Sequence, residues 1–123
     1  MLKNVIREIT PLTENDCFTV FSRTKKEFTF PLHSHDEMEL NLILGAAGTQ
    51  RIVGDHIGEA GDEELVFVGS ILPHGWFTHN CNSESIQEVT IQFNKDLFCE
   101  TFLEKNPMLP VKKLLDTAKR GIL

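Results

Sequence analysis

The sequence predicts a mainly β domain, either a sandwich or a barrel, that is followed by two short α-helices. Most of the chain consists of short apolar runs rich in β-branched and aromatic side chains. Glycine, proline, asparagine and aspartate separate these runs, with no helical segment between them. Beyond residue 94 the apolar residues recur at helical spacing instead. We therefore divide one structural domain into a β-barrel of residues 1–94 and a helical pair of residues 95–123.

The strands are predicted from runs that alternate at least partly between apolar and polar residues. These runs cover residues 18–21, 28–30, 39–44, 65–68 and 89–93. Residues 52–57 are predicted to form a tight hairpin, in which Gly54 and Asp55 supply the positive φ that such turns need.

The first helix is predicted to begin at Asn94, which is a good N-cap, and to present apolar residues at positions 97, 98, 102 and 103. Pro110 suits the first turn of a second helix, and Gly121 is placed to end it. An apolar stripe on this second helix is expected to form a homodimer interface, and packing within the chain is the open alternative. The stripe consists of Val111, Leu114, Leu115 and Ala118, and Ile122 would extend it.

The charge is unevenly distributed in a chain of net charge −6. Between Glu27 and Glu88 there are eleven acidic residues and one basic residue, Arg51. Such a surface repels the phosphate backbone of nucleic acids. We expect the folded body not to bind DNA by itself, so DNA binding would have to come from another segment.

Neither a membrane span nor a signal peptide is predicted, because apolar runs are short and the first residues carry charges. A cytoplasmic location is therefore expected. Cys17, Cys81 and Cys99 are widely spaced without a CxxC pair, so they are expected to be reduced thiols.

Candidate metal ligands cluster at His33, His35 and Glu39, with His74 further along the chain. Residues two apart share one face of a strand, so two imidazoles and a carboxylate could ligate a divalent metal that His74 completes. In a regular strand Glu37 would share this face, and the opposite face would be apolar, formed by Met38, Leu40, Leu42 and Leu44. From spacing alone, the pattern also fits a polar stripe that faces solvent.

The same residues carry a resemblance to the cupins. The first cupin sequence block resembles His33-x-His35-x-x-x-Glu39, and the second resembles the run from Gly61 to His74. The segments FPLHSHDEMELNLIL, RIVGDHIG and ELVFVGSILPHGW are more closely similar to the N-terminal domains of AraC-type transcriptional regulators. The tail segments EVTIQFNKDLF and VKKLLDTAKRGI are similar to the last strand and helical pair of that family. Glu27 and Thr78 depart from the wider cupin pattern, which has Gly and Asn there.

The resemblance implies a cupin double-stranded β-helix, a jelly-roll barrel, that senses a small effector such as a sugar and dimerises. It implies no enzymatic activity, and DNA would be contacted only through a further domain. The matching pocket takes the effector with or without one divalent metal ion, whose ligands would be His33, His35, Glu39 and His74. Further ligand-binding candidates are Asn41, Gln92 and Trp76, which could stack on a sugar or serve as a core aromatic.

Two other functions remain open. A stand-alone metal-dependent cupin enzyme, a dioxygenase or an isomerase, would use the same four ligands. It would need an additional acid or base, for which Glu37 is the obvious spare carboxylate in a chain without tyrosine. A purely structural dimer module would have a filled barrel with no pocket.

Overall fold

The computed structural model describes residues 5–78, 81 and 85–122. Within this part the chain forms nine strands and two short α-helices, so the predicted mainly β architecture is confirmed. The strands are β1 (Ile6–Arg7), β2 (Thr19–Lys25), β3 (His33–Ser34), β4 (Met38–Leu44), β5 (Gln50–Val53), β6 (His56–Glu59), β7 (Glu63–Val68), β8 (His74–Phe77) and β9 (Ile86–Phe93). The helices are α1 (Glu100–Leu103) and α2 (Leu109–Thr117).

The strands form two sheets that pack face to face. One has the order β1-β3-β8-β5-β6 and the other has the order β2-β9-β4-β7. All described pairs are antiparallel except β1 with β3. Side chains from both sheets share one buried cluster, which includes Ile43, Val66 and Ile86 from one sheet and Val53 and Trp76 from the other. This interior cluster holds the two layers together, since each buries an apolar face against the other.

The strand predictions hold except at residues 28–30, where no strand forms. The Phe28 N–H donates to the hydroxyl of Thr78 (3.4 Å), and its ring stacks on Trp76, so this segment is held by side chains rather than by a ladder. The predicted hairpin connects β5 to β6. Gly54 has φ of 60°, whereas Asp55 is outside the positive-φ region, so the turn needs its glycine at the first central position alone.

The prediction that the first helix begins at Asn94 is wrong. The Asn94 side chain accepts a hydrogen bond from the Asp96 N–H (2.8 Å), and its carbonyl accepts one from the Leu97 N–H (3.0 Å). These local bonds close a turn and delay the helix, so α1 begins only after Cys99. Pro110 does occupy the first turn of α2. No helix in the described residues has the length and apolar character needed to cross a membrane.

The C-terminal segment consists of α2, the 3₁₀ turn that follows it and residues 121–122. It docks on the outside of the β2-β9-β4-β7 sheet. After the 3₁₀ turn Ala118–Arg120, Gly121 turns the chain with φ of 84°. Ile122 then exchanges two backbone hydrogen bonds with Phe67 (2.8 and 2.9 Å), so it extends the sheet instead of the helical stripe. A second apolar cluster forms beneath the segment, and its members are Met38, Leu40, Phe67, Phe93, Phe98, Leu115, Ala118 and Ile122.

This docking occupies part of the stripe that was expected to dimerise. Ala118 is fully buried and Leu115 packs in the second cluster. Both side chains therefore pack within the chain, which was the open alternative to a dimer interface. Leu114 is 45% exposed and Val111 is half-buried, so these two remain accessible on α2. Dimerisation through this helix stays a prediction.

Strand β4 has two distinct faces, as its alternation predicts. Glu39, Asn41 and Ile43 point into the barrel and are buried. Leu40 and Leu42 point outward, where the C-terminal segment covers Leu40 and leaves Leu42 36% exposed. Two of the three inward-facing residues of this strand are therefore polar.

Candidate functional site

Three histidines converge at one end of the barrel. His33 on β3 pairs in register with His74 on β8, and His35 follows directly after β3. The ring centroids of His33 and His74 lie 4.2 Å apart, and those of His35 and His74 lie 4.8 Å apart. One nitrogen from each ring lies within 4.8 Å of the others, and all three residues are buried. The structure therefore excludes the solvent-facing stripe for these residues.

Backbone carbonyls orient the three rings in the same way. The Nδ1 atom of each histidine donates to a carbonyl two residues away: His33 to Pro31 (2.8 Å), His35 to Glu37 (2.9 Å) and His74 to Leu72 (2.9 Å). A carbonyl can only accept, so Nδ1 carries a proton in each case, and His35, whose Nε2 also donates to a carboxylate, is the imidazolium that carries both protons. The Nε2 atoms of His35 and His74 then lie 3.1 and 3.4 Å from the Glu39 carboxylate. Metal-binding histidines commonly have this arrangement, in which the second nitrogen fixes the ring.

The Glu39 carboxylate reaches this centre from the opposite sheet. Its Oε1 accepts hydrogen bonds from His35 Nε2 and from Gln92 Nε2, both at 3.1 Å. Its Oε2 lies 3.4 Å from His74 Nε2, but the geometry is not that of a hydrogen bond and this buried nitrogen has no partner. A buried, unpartnered imidazole nitrogen beside a carboxylate fits a divalent cation. The donor set of His33, His35, His74 and Glu39 is therefore suited to a metal ion.

The pKa values of His33, His35 and Glu39 are shifted by their surroundings. Burial, reinforced by the neighbouring His74, lowers the pKa of His33 to about 4. Burial also acts to lower the pKa of His35, but the hydrogen bond and charge of Glu39 outweigh it and raise that pKa. For Glu39, burial alone would raise the pKa, yet the hydrogen bond from His35 and the charges of His35 and His74 hold it well below its usual range. The site therefore favours an ionised Glu39 with a neutral His33.

The metal-free protein is expected to lose stability below pH 6.5 because of His33. Its folded pKa lies below its unfolded value of 6.5, so the unfolded chain binds the proton first as the pH falls. The stabilisation is complete above pH 6.5 and is lost between pH 6.5 and about 4. His35 acts in the opposite direction, since its raised pKa contributes stability that is lost as the pH rises through the folded value. The contribution of His33 alone is the difference between wild-type and His33→Gln in how the free energy of unfolding changes with pH.

Urea unfolding in a chelating buffer at pH 7 and pH 5 measures this difference. Wild-type should lose about 2 kcal/mol more than His33→Gln between the two pH values. Equal losses in the two proteins would show that His33 is protonated as readily in the folded as in the unfolded chain.

A cavity of about 300 Å³ opens beside the histidines. Its wall combines polar side chains of the β2-β9-β4-β7 sheet with aromatic rings and the N-terminal segment. The lining residues are Glu8, Ile9, Pro11, Phe21, Arg23, Lys25, Phe28, Phe30, His33, Glu39, Asn41, Trp76, Glu88, Thr90 and Gln92. The volume is at the lower end of the range for small-molecule sites. This cavity argues against a purely structural dimer module, which was expected to have a filled barrel with no pocket.

Several predicted site residues meet in this cavity. Asn41 and Gln92 both contact Glu39, through Asn41 Nδ2 to Oε2 (3.5 Å) and through the Gln92 bond to Oε1. Trp76 lies in the wall but is only 5% exposed and belongs to the interior cluster, where it stacks on Phe28 at 6.4 Å. The Trp76 ring thus combines a core role with a face on the cavity.

Glu37 lies elsewhere. The chain bends at residues 36–37, between β3 and β4, so the side-chain alternation of a regular strand does not extend from His35 to Glu39. The Glu37 carboxylate is 4.0 Å from His35 Nδ1, and the residue does not line the cavity. The spare carboxylate expected of an enzyme therefore does not face the cavity.

Sequence reasoning missed a second polar group in the wall. Glu88 accepts from Lys25 Nζ (2.7 Å) and from Asn41 Nδ2 (3.2 Å), and Thr90 donates to Asn41 Oδ1 (3.2 Å). Glu88, Thr90 and Gln92 alternate along β9, so the period of two of a strand, counted back from the candidate Gln92, contained the signal for the other two.

The described fold is similar to a solved structure, that of a cupin 2 conserved barrel domain protein from Rhodopseudomonas palustris. The match has a TM-score of 0.52 and 17% sequence identity, and it covers 67% of this chain and 55% of the other. No protein-family model matches the sequence, and no curated protein does. At this identity the likeness concerns the fold, and it agrees with the predicted cupin barrel. The aligned part spans only about half the length of the Rhodopseudomonas protein.

Proposed function

We propose that this chain is a cupin sensor domain that binds a small polar effector, such as a sugar, beside a divalent metal ion. We further propose that it is the effector-binding and dimerising part of an AraC-type transcriptional regulator, in line with the sequence resemblance. The observation that carries the sensor role is the position of the cavity and the C-terminal segment on opposite faces of the same two strands.

Two adjacent cross-strand pairs connect these faces. Glu39 pairs with Gln92, and both side chains point into the cavity. The next pair, Met38 with Phe93, points outward and packs beneath the C-terminal segment. A ligand that moves Glu39 therefore acts on strands whose other face supports α2. Such a ligand can change how α2 is presented only if it binds the two docking states with different affinities.

The wall chemistry favours a ligand with several hydroxyl groups. Carboxylate, amide and hydroxyl groups of Glu88, Asn41 and Thr90 can donate to and accept from such groups. The Phe30 and Trp76 rings supply apolar surface of the kind that packs on a sugar face. A bound divalent ion would supply Lewis-acid contact to a ligand oxygen.

The proposal predicts that a sugar binds the metal-loaded chain and that Thr90 contributes. Sugars would be screened by thermal shift, and the affinity of any hit would be measured by calorimetry. Thr90→Val, which removes a cavity hydroxyl, should weaken binding about threefold to tenfold. Thr24→Val is the matched control, since Thr24 lies on the neighbouring strand outside the cavity. No stabilising sugar, or equal losses in both variants, would contradict the proposal.

The regulator assignment has its own test in the source gene. A reading frame that continues past the Leu123 codon into a basic region with two helix-turn-helix patterns would support it. A stop codon at that point would oppose it.

The enzyme alternative is favoured by one observation, the opening of the donor set onto the cavity through His33 and Glu39. Turnover of a substrate by the iron- or manganese-loaded protein would favour that alternative over a sensor.

A further inference from the structure

The chain has a second cleft, separate from the barrel cavity, between the β5–β6 hairpin and the C-terminal segment. It has a volume of about 370 Å³. Its lining residues are Arg51, Val53, His56, Val66, Arg120, Gly121 and Ile122. We propose that this cleft binds a small anion carrying a phosphate group. The inference does not depend on the function proposed for the barrel cavity.

The hairpin places two nitrogen donors on the wall of this cleft. Arg51 pairs with Gly58 and Val53 pairs with His56, so alternate positions of β5 and β6 share one face. Arg51 Nη2 lies 2.8 Å, and His56 Nε2 lies 3.2 Å, from the position that a Cβ atom on Gly58 would occupy. The two donors therefore converge above Gly58, and the absence of a side chain there leaves them room.

The C-terminal segment contributes a third donor. The backbone bonds between Ile122 and Phe67 fix this segment, and Gly121 packs so closely on Val53 that an added Cβ would lie 2.5 Å from Val53 Cγ1. The exposed Arg120 is thereby held in the wall that also contains Arg51. Guanidinium groups bind phosphate through paired N–H donors.

The charge of the cleft is opposite to that of its surroundings. None of the lining residues is acidic, although residues 27–88 contain eleven acidic residues and Arg51 as their one basic residue. Glu64 forms an ion pair with Arg51 Nη1, so it offsets the charge of this arginine and orients its guanidinium. Arg120 has no such partner in the lining, and the cleft has a positive balance that suits an anion.

The test is a nuclear magnetic resonance titration of the full chain with inorganic phosphate at constant ionic strength. Saturable shifts are expected at the amides of Gly58, Gly121 and Ile122, with a millimolar dissociation constant. Arg120→Ala should weaken binding about tenfold, because it removes a charge-assisted contact. Lys119→Ala is the matched control, since this neighbouring exposed cation does not line the cleft and should leave the affinity unchanged.

Other outcomes would overturn the proposal. No saturable shift at tens of millimolar phosphate would do so, as would equal weakening by Lys119→Ala and Arg120→Ala. Shifts confined to Arg23 and Lys25 would place the anion in the barrel cavity instead. His56→Ala provides a second variant on the hairpin side, where the exposed imidazole can be removed without disturbing the buried Arg51–Glu64 pair.

Discussion

Replacing Glu39 by glutamine is expected to remove most of the thermal stabilisation that a divalent ion gives the wild-type chain. At an ion concentration 100 times the dissociation constant, binding stabilises the folded state by about 2.7 kcal/mol. In a domain of this size that corresponds to a rise in Tm of about 10 °C. If the substitution lowers affinity about 100-fold, the same ion concentration stabilises by only about 0.4 kcal/mol.

The physical reason lies in the position of the carboxylate. Glu39 is 3% exposed, and its oxygens lie 3.1 Å from His35 Nε2 and 3.4 Å from His74 Nε2. The hydrogen bond from His35 and the charges of both histidines keep the pKa of Glu39 low, so it is anionic at neutral pH. Glutamine preserves the shape but removes the negative charge that offsets a divalent cation.

Glu37→Gln is the matched control, because it removes a nearby carboxylate that contacts His35 from outside the cluster. Thermal unfolding with and without zinc measures the gain in each protein. A full gain in Glu39→Gln, or an equal loss in Glu37→Gln, would show that the ion binds elsewhere.

Strands β2, β4, β7 and β9 and the β5–β6 hairpin were predictable because their signals are local. The alternation in residues 39–44 and 89–93 reports which residues share a face, and Gly54 marks a turn. Alternation does not report which face is inside. In β4 the buried face carries Glu39 and Asn41, and the leucines point outward, because this barrel encloses a polar cavity.

The convergence of the histidines depends on longer-range geometry. The pairing of His33 with His74 joins residues far apart in the sequence, and spacing alone contains no information about this pairing. The resemblance to cupins predicted that His74 joins His33 and His35. The bend at residues 36–37 explains why Glu37 does not share the face of Glu39. The start of α1 was predicted wrongly from a local signal, because an asparagine such as Asn94 can close an isolated turn as well as cap a helix.

The docking of the C-terminal segment on the barrel depends on one close backbone contact. A Cβ atom at Gly69 would lie 2.5 Å from the Ala118 carbonyl oxygen and 2.9 Å from Lys119 Cα. These neighbours are backbone atoms, which cannot move aside as the end of a flexible side chain can. Gly69→Ala is therefore expected to displace the 3₁₀ turn Ala118–Arg120 and to lower the free energy of unfolding by about 1–3 kcal/mol.

Gly61→Ala is the matched control, because an added Cβ meets nothing within 4 Å there and its effect should stay within about 0.5 kcal/mol. Amide hydrogen exchange of residues 111–122 should accelerate in Gly69→Ala alone, since the two Ile122–Phe67 backbone bonds depend on the docked position. Unchanged exchange would show that the segment tolerates the displacement. If the segment is released while zinc still binds, the metal centre folds independently of α2.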